Sequence, residues 1–77
     1  MVNVISNNDL SEAKKEKLAL LDFSATWCGP CSMLAPVLKE LSEELAGEVA
    51  VYSIDVDQNP QLAVEYKIMN IPALVLL

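Results

Sequence analysis

The sequence contains no histidine and no arginine, and aromatic residues make up only 5% of its 77 residues. Without histidine, catalysis by Ser-His-Asp or Cys-His groups is excluded, as is any metal site that needs imidazole. Five lysines against eleven acidic residues give a net charge of −6. This charge disfavours nucleic acid as a partner, because affinity for phosphates depends on basic contacts.

Long apolar runs are also missing, since none approaches the roughly 18 residues that indicate a membrane span. The first residues, Met1 to Val4, lack the basic stretch and apolar core of a secretory signal. We therefore expect a reducing compartment, the cytoplasm, in which a cysteine pair is catalytic or binds metal rather than forming a lasting disulfide. The length predicts one domain, residues 1–77, whose stability is marginal because so short a chain buries only about 60% of its unfolded surface.

Strand-like and helix-like segments alternate along the chain in the order β-α-β-α-β-α-β. Short apolar or β-branched runs predict strands, whereas leucines spaced by three and four residues predict an amphipathic helix. Ser6 and Asp9 resemble a capping pattern before the first helix, and Gly47 suits the left-handed position after the second. This alternation predicts an α/β fold, a sheet with helices on its faces. We predict strands at 2–5, 18–23, 49–55 and 73–77, and helices at 10–15, 31–46 and 60–66.

One short motif, Trp27-Cys28-Gly29-Pro30-Cys31, holds both cysteines at the junction between a predicted strand and a predicted helix. This spacing places the two Cα atoms about 5–5.5 Å apart, within the range that a disulfide tolerates. The positive end of the helix favours an anion, so we expect the thiol of Cys28 to ionise readily. Pro30 stiffens the loop between the sulfurs. We expect Cys31, one turn into the helix, to be more buried and harder to ionise.

Three interpretations of this cysteine pair are open. A zinc site needs four ligands, and with no further cysteine or histidine it requires two copies of the chain to share one metal. Two inert buried cysteines are a second interpretation, although such cysteines rarely fall at the start of a helix. A redox-active dithiol is the third, and a Cys-x-x-Cys beside a βαβ pattern favours it.

Asp22 interrupts the second apolar run shortly before the cysteine motif. Strand alternation places it on the same face as Leu18 and Leu20. It is either a carboxylate that emerges at the end of a strand or a buried group that takes the proton from Cys31. Desolvation would raise the pKa of a buried carboxyl toward the range in which it serves as a base, and we favour this second role.

Four large apolar residues flank the motif in the sequence or in the segment before the last strand. They are either ordinary core residues or an apolar rim on which an extended partner docks. They are Trp27, Met33, Met69 and Ile71.

The order and spacing of these residues resemble the thioredoxin family, over essentially the whole chain. Trp-Cys-Gly-Pro-Cys is among the more specific redox signatures. The matching segments are Asp22-Phe23, Ala25-Thr26-Trp27-Cys28-Gly29-Pro30-Cys31, Pro36, Asp55-Val56-Asp57-Gln58-Asn59-Pro60 and Ile71-Pro72.

The resemblance implies a thioredoxin-like fold, a mixed β-sheet flanked by helices, and activity as a protein disulfide reductase. It implies that Cys28 attacks the substrate disulfide and Cys31 resolves the mixed disulfide, while Asp22 is a buried acid and base. It also implies a cis peptide bond before Pro72, whose loop pairs with the substrate backbone. The substrate-binding residues that we expect are Trp27, Gly29, Pro30, Met69, Ile71 and Pro72.

The resemblance further implies that no cofactor is bound. The redox group is the Cys28–Cys31 disulfide itself, and a flavin- and NADPH-dependent thioredoxin reductase is the expected partner that recycles it. The remaining expected partners are disulfide-containing proteins, with neither nucleic acid nor membrane.

The chain departs from the family pattern at several positions. Ser53 stands where a lysine commonly lies near the buried aspartate, so any shift in the pKa of Asp22 is expected to come mainly from desolvation. Lys67 replaces a frequent glycine. The other departures are Ser24, Ser32 and Ala73, in place of an aromatic residue, a basic residue and a threonine.

Compared with the family pattern, the chain lacks a final strand and a C-terminal helix. We expect residues 73–77 to form an exposed apolar edge, which is a template for dimerisation or strand swapping. A second functional hypothesis follows, a non-catalytic fragment or interaction module that keeps the motif without the rigid scaffold that catalysis needs.

Overall fold

A computed structural model describes all 77 residues, from Met1 to Leu77. The elements alternate in the predicted order, which confirms the α/β fold. They are β1 (Val2–Val4), α1 (Ser11–Lys15), β2 (Ala19–Ser24), α2 (Gly29–Glu44), β3 (Ala50–Asp55), α3 (Pro60–Glu65) and β4 (Ala73–Leu76).

The four strands form one mixed sheet in the order β1-β3-β2-β4. β3 pairs in parallel with β1 and β2, whereas β4 runs antiparallel to β2. Phe23 near the end of β2 is therefore opposite Ala73 at the start of β4. This register brings the segment that precedes β4 close to the C-terminal end of β2.

The main core lies between one face of the sheet and the helices α1 and α3. Leu21, Phe23 and Ile54 are fully buried there, and the rings of Phe23 and Tyr66 lie 5.8 Å apart at 48°. Burying each of these large side chains contributes roughly 1.5–3 kcal/mol. On the opposite face, α2 packs across β1 and β3, with Leu38 buried beneath it.

Helix α2 begins two residues before its predicted start, because Pro30 suits the first helical turn, where its missing N–H is not needed. Cys28 is the N-cap, and the helix continues through Pro36 to Glu44. Gly47 has a φ of +91°, but it lies two residues beyond the C-cap Leu45, one position later than predicted.

Ser6 does not cap α1, so this part of the sequence prediction was wrong. Leu10 occupies the cap position without a side-chain bond, and Asp9 Oδ1 instead accepts a 2.9 Å hydrogen bond from the N–H of Ser11. Between them the chain turns through Asn7 and Asn8, at φ 55° and 54°. Asparagine tolerates the left-handed region better than most residues. The turn at Asn7 and Asn8 therefore separates Ser6 from the start of α1, which begins at Ser11.

Asn59 directly precedes α3, but its side chain is fully buried and does not cap the helix. Its Oδ1 accepts from the N–H of Asn8 at 2.9 Å, and its Nδ2 donates to the carbonyls of Asp55 at 3.1 Å and Ile5 at 3.4 Å. In return, Asn8 Oδ1 accepts from the N–H of Leu62 in the first turn of α3. Two asparagines far apart in sequence thus join the turn before α1 to the start of α3.

The end of α3 forms a complete Schellman motif. The N–H of Ile68 bonds to the carbonyl of Ala63 at 2.9 Å, and that of Lys67 bonds to the carbonyl of Val64 at 3.1 Å. Lys67 occupies the left-handed position of this motif, at φ 55°, where glycine is the usual residue. Lys67, which stands where the family frequently has glycine, therefore adopts a backbone conformation that lowers the stability of the fold.

β4 lies at one edge of the sheet. Its side chains alternate, so that Leu74 and Leu76 are 50% and 62% exposed on the face that carries α2. This agrees with the exposed apolar surface that was expected at residues 73–77. No helix of the chain is both long enough and apolar enough to cross a membrane.

Candidate active site

The two cysteines lie where β2 leads into α2. They form a disulfide with Cα atoms 5.3 Å apart, which agrees with the distance expected from their spacing. Ala25 lies with them in a small buried cluster, against which Val56 and Ile71 pack. Both cysteines are 6% exposed, so the prediction that Cys31 is the more buried was wrong for the oxidised protein, because the bond holds both side chains in one cluster.

The N-terminus of α2 supplies a hydrogen bond to the sulfur of Cys28. The backbone N–H of Cys31 donates to Cys28 Sγ at 3.2 Å. The hydroxyl and N–H of Ser32 both reach the carbonyl of Cys28, at 3.4 and 3.3 Å. A donor aimed at this sulfur, together with the positive end of a helix of 16 residues, favours the thiolate over the thiol when the bond is reduced.

Asp22 is buried in the sheet with 7% of its surface exposed. It lies on β2 between Ser53 of β3 and Leu74 of β4. Its Oδ1 has no hydrogen-bond partner, and desolvation raises the pKa of the Asp22 carboxyl above its ordinary value. The prediction of a buried carboxyl whose pKa is raised chiefly by desolvation is confirmed.

A cavity of about 320 Å³ connects Asp22 with the second cysteine. It lies between the ends of the central strands and the first turns of α2, and both apolar and polar side chains line it. The polar and sulfur-bearing side chains that line it are Asp22, Ser24, Thr26, Cys31, Ser32, Ser53 and Asp55.

The peptide bond between Ile71 and Pro72 is cis, as the family resemblance implied. Because Ala73 lies opposite Phe23, the antiparallel pairing of β4 with β2 carries this bond to the end of the sheet that bears the cysteines. Ile71 packs directly on the Cys28–Cys31 cluster. The fold thus brings Ile71 together with Cys28 and Cys31, as expected from the sequence. Pro72 is the next residue along the chain.

Trp27, Met33 and Met69 are 70%, 79% and 90% exposed, whereas Ile71 is half-buried. The first three are therefore surface residues and not part of the core. The interpretation of these residues as a rim on which a partner docks stays a prediction. Gly29 and Pro30 are exposed as well. A Cβ on Gly29 would meet no atom within 4 Å, so that position requires glycine neither for space nor for a positive φ.

Sequence reasoning assigned no site role to Asp57, Val56 or Ala25. Asp57 Oδ2 accepts a 2.8 Å hydrogen bond from the indole Nε1 of Trp27, while Val56 and Ala25 surround the disulfide. These residues fell within the segments that carried the family resemblance. Their roles depend on contacts between β2 and the turn after β3, which no local periodicity reveals.

Metal ligands do not cluster in the chain. No group of three or more histidine, cysteine, aspartate or glutamate side chains lies close enough together to hold a metal ion.

Comparison with known proteins gives consistent matches. The thioredoxin family model matches residues 2–77. The thioredoxins of Staphylococcus aureus strains Mu50 and MW2 are 42% identical over 71 residues, which cover 92% of this chain and 68% of theirs. Among solved structures, chloroplastic thioredoxin z is similar with a TM-score of 0.86 and 40% identity, over 99% of this chain and 69% of that one. The chain therefore spans roughly two thirds of the length of each of these proteins.

Proposed function

This chain belongs to the thioredoxin family, and we propose that its 77 residues by themselves reduce protein disulfides. Its Cys28–Cys31 pair makes it a thiol–disulfide oxidoreductase that uses its own disulfide and no bound cofactor. The direction of the reaction, the activity of this length of chain and the roles of single residues belong to the proposal. The observation that carries it is the N–H of Cys31 aimed at Cys28 Sγ.

In the proposed first step, the thiolate of Cys28 attacks one sulfur of a substrate disulfide. A mixed disulfide forms, and one substrate sulfur leaves as a thiolate. The helix N-terminus and the N–H of Cys31 support this step because they stabilise negative charge on Cys28 Sγ before the attack.

In the proposed second step, Cys31 loses its proton to Asp22 and attacks Cys28. The Cys28–Cys31 disulfide forms, and the second substrate sulfur leaves as a thiolate, so that two electrons pass from the protein to its substrate. The raised pKa of the Asp22 carboxyl supports this role, because a proton acceptor works best when its pKa lies closer to the pH of the solution.

We propose that the rim binds the substrate chain around the attacked disulfide. Trp27 and Met69 offer exposed apolar surface, and the exposed backbone around Gly29 and Pro30 lets a second chain approach Cys28. Ile71 packs on the cluster that holds the sulfurs, and Pro72 follows it, so that the backbone before β4 can pair with the substrate.

Repeated turnover requires a source of electrons, because each cycle leaves the protein oxidised. A flavin- and NADPH-dependent reductase is the proposed partner that returns the Cys28–Cys31 disulfide to the dithiol. The proposed compartment is the reducing cytoplasm, where disulfides are transient and catalytic.

Reduction of insulin by dithiothreitol, followed by turbidity, tests the proposal. We expect the 77-residue chain to accelerate precipitation, Cys28→Ser to abolish the acceleration, and Cys31→Ser to accumulate a mixed disulfide visible by mass spectrometry. Unaltered rates in both variants would contradict the assigned roles. If Cys28 and Cys31 form their disulfide but insulin is reduced no faster than by dithiothreitol alone, the chain is instead a non-catalytic module.

The edge position of β4 also supports self-association as part of the proposal. Leu74 and Leu76 are at least half exposed, and no charged residue interrupts the strand, which are the conditions under which edges pair. We expect sedimentation of this chain to depend on concentration, and Leu76→Lys to reduce that dependence. A monomer at all concentrations would contradict association through β4.

A further inference from the structure

The surroundings of the two cysteines carry acidic side chains that no basic side chain neutralises. Residues 23–38, which include both cysteines, contain no charged residue. Besides the buried Asp22, the charges at this end of the sheet come from Asp55, at the end of β3, and from Asp57 in the turn that follows. The one salt bridge in the chain joins Lys15 to Glu12, so neither Asp55 nor Asp57 has a cationic partner.

Both carboxylates are held beside the cysteine pair by specific contacts. Asp57 Oδ2 accepts a 2.8 Å hydrogen bond from the indole of Trp27, the residue directly before Cys28. Asp55 lines the cavity that contains Cys31, and its Oδ1 accepts from the N–H of Asp57 at 2.8 Å. A substrate that approaches Cys28 therefore meets fixed negative charge, and Asp57 is the more exposed of the two acids.

The basic side chains lie elsewhere in the fold. Three of the five lysines fall in residues 14–17, which precede β2 and so lie at the end of the sheet opposite the cysteines. The six residues of β2 separate these ends by roughly 17 Å, more than the Debye length of about 10 Å at 0.1 M salt. Lys39 is about 15 Å along α2 from its start. Residues 58–77 hold only Lys67 and Glu65 as charged residues, and these two charges cancel.

Two serines add to this imbalance. Ser32 and Ser53 stand where the family pattern has a basic residue and a lysine, and both line the cavity that contains Cys31. A cation at either position would lie beside the cysteine pair. This chain therefore lacks positive charge at two places in its site where similar proteins carry it.

We propose that the protein selects disulfides that lie in positively charged segments, and that Asp57 determines this preference. Opposite charge draws such a segment toward Cys28 before the sulfurs meet, which raises the rate of productive encounter. The chemical step is unchanged: a bond forms between Cys28 Sγ and one substrate sulfur, and the other substrate sulfur leaves as a thiolate. The inference rests on the proposed function and names its substrate class.

Three peptides, each with one internal disulfide, test the preference. They are identical except for the residues beside their cysteines, which are lysine, glutamine or glutamate. Each peptide is mixed in excess with the reduced protein, and the loss of protein thiols is followed by acid quenching and mass spectrometry. The same peptides react with 2-mercaptoethanol, and each protein rate is divided by this reference rate. The division removes differences in the intrinsic reactivity of the three disulfides.

Salt should reveal the electrostatic origin of the preference. At about 10 mM salt we expect the normalised rate for the lysine peptide to exceed that for the glutamate peptide about tenfold, because charges then act over about 30 Å. At about 1 M salt the two rates should agree within about twofold, because the Debye length falls to about 3 Å. The glutamine peptide should lie between them at low salt.

Asp57→Asn separates the charge from the hydrogen bond, since the amide oxygen can still accept from Trp27. At low salt we expect this change to lower the ratio of lysine to glutamate rates about three- to fivefold. Glu48→Gln is the matched control. It removes the same charge from an exposed residue before β3, at the end of the sheet opposite the cysteines, and should leave the ratio unaltered.

Equal normalised rates for the three peptides at low salt would overturn the inference. So would an equal loss of preference in Asp57→Asn and Glu48→Gln, because the net charge of the whole chain would then be responsible. Failure of the proposed function looks different: the parent then reduces insulin no faster than dithiothreitol alone. The stoichiometric reaction with the peptides needs only the thiol of Cys28, so it decides the inference in that case as well.

Discussion

The indole Nε1 of Trp27 donates a 2.8 Å hydrogen bond to Oδ2 of Asp57, which ties the residue before Cys28 to the turn that follows β3. That turn is itself closed by Asp55, whose Oδ1 accepts from the N–H of Asp57 at 2.8 Å. The bond orients the indole while leaving 70% of Trp27 exposed. An aromatic side chain that is both exposed and fixed in direction is well suited to contact a docking partner.

Trp27→Phe keeps an aromatic ring but removes the donor, and Asp57→Ala removes the acceptor. Because the bond is exposed, we expect each change to lower kcat/KM for insulin reduction about two- to fivefold, which corresponds to roughly 0.5–1 kcal/mol. The double variant should lose no more than the larger single effect. A double-mutant cycle on kcat/KM measures this, and fully additive losses would contradict a shared role.

Asp22 should make the protein less stable as the pH rises. Its carboxyl has a raised pKa in the folded state, so between the unfolded and folded pKa values the native state binds more protons than the unfolded state. The free energy of unfolding then falls with pH across this window and stays low above it. Below the unfolded pKa the penalty is absent.

Asp22→Asn should remove this pH-dependent penalty. We expect the oxidised variant to be more stable than the parent at pH 8, on the order of 1–3 kcal/mol, with no advantage at pH 3. Urea denaturation of both oxidised proteins at a series of pH values measures the difference. Asp57→Asn, at an exposed position, serves as the control and should leave the dependence of the unfolding free energy on pH unchanged. The prediction would be refuted if the free energy of unfolding of the parent, relative to that of Asp22→Asn, rose between pH 3 and pH 8.

Lys67→Gly should stabilise the chain. Lys67 adopts φ 55° inside the Schellman motif that ends α3, and a left-handed conformation costs a non-glycine residue about 1–2 kcal/mol. Glycine loses part of this gain because its unfolded chain is more flexible. We expect a net gain of about 1 kcal/mol, measured by urea denaturation. Val64→Gly, inside α3, is the matched control and should destabilise by a similar amount.

Asn59→Ala should be among the most damaging changes outside the active site. It removes the acceptor of the Asn8 N–H and the donor to the carbonyls of Ile5 and Asp55, and it leaves a gap at a fully buried position. The carbonyl of Asp55 keeps its bonds from the N–H groups of Gln58 and Asn59, so two groups lose their partner. Leaving such a group unpaired costs about 1–3 kcal/mol, and we expect a loss of about 2–4 kcal/mol in thermal or urea unfolding. Gln58→Ala, at the exposed neighbouring position, should change stability by less than about 0.5 kcal/mol.

The sequence predicted those parts of the molecule that local pattern controls. The apolar run at β2 and the leucine spacing of α2 each place an element within two residues of its observed bounds. The distance between Cys28 and Cys31 followed from helix geometry alone. The cis bond before Pro72 did not follow from any pattern, because most such bonds are trans, and only the family resemblance implied it.

The remaining features depend on contacts between distant segments. Asn8 and Asn59 are separated by 51 residues, and nothing in either neighbourhood indicates that they meet. The order β1-β3-β2-β4 is likewise a property of the assembled sheet. Ser6 was misassigned as a cap because the serine and aspartate pattern is local, whereas the turn at Asn7 and Asn8 is held in place by α3.

The Cys28–Cys31 bridge spans a sequence separation of only three residues. Closing so small a ring restricts the unfolded chain little, and loop-entropy arguments give about 2 kcal/mol, well below the value for a bridge across a whole domain. Making or breaking the bond therefore changes the stability of the fold by less than half of what a bridge across a whole domain would. The cysteine pair can be oxidised and reduced at the N-terminus of α2 while the rest of the fold keeps its structure.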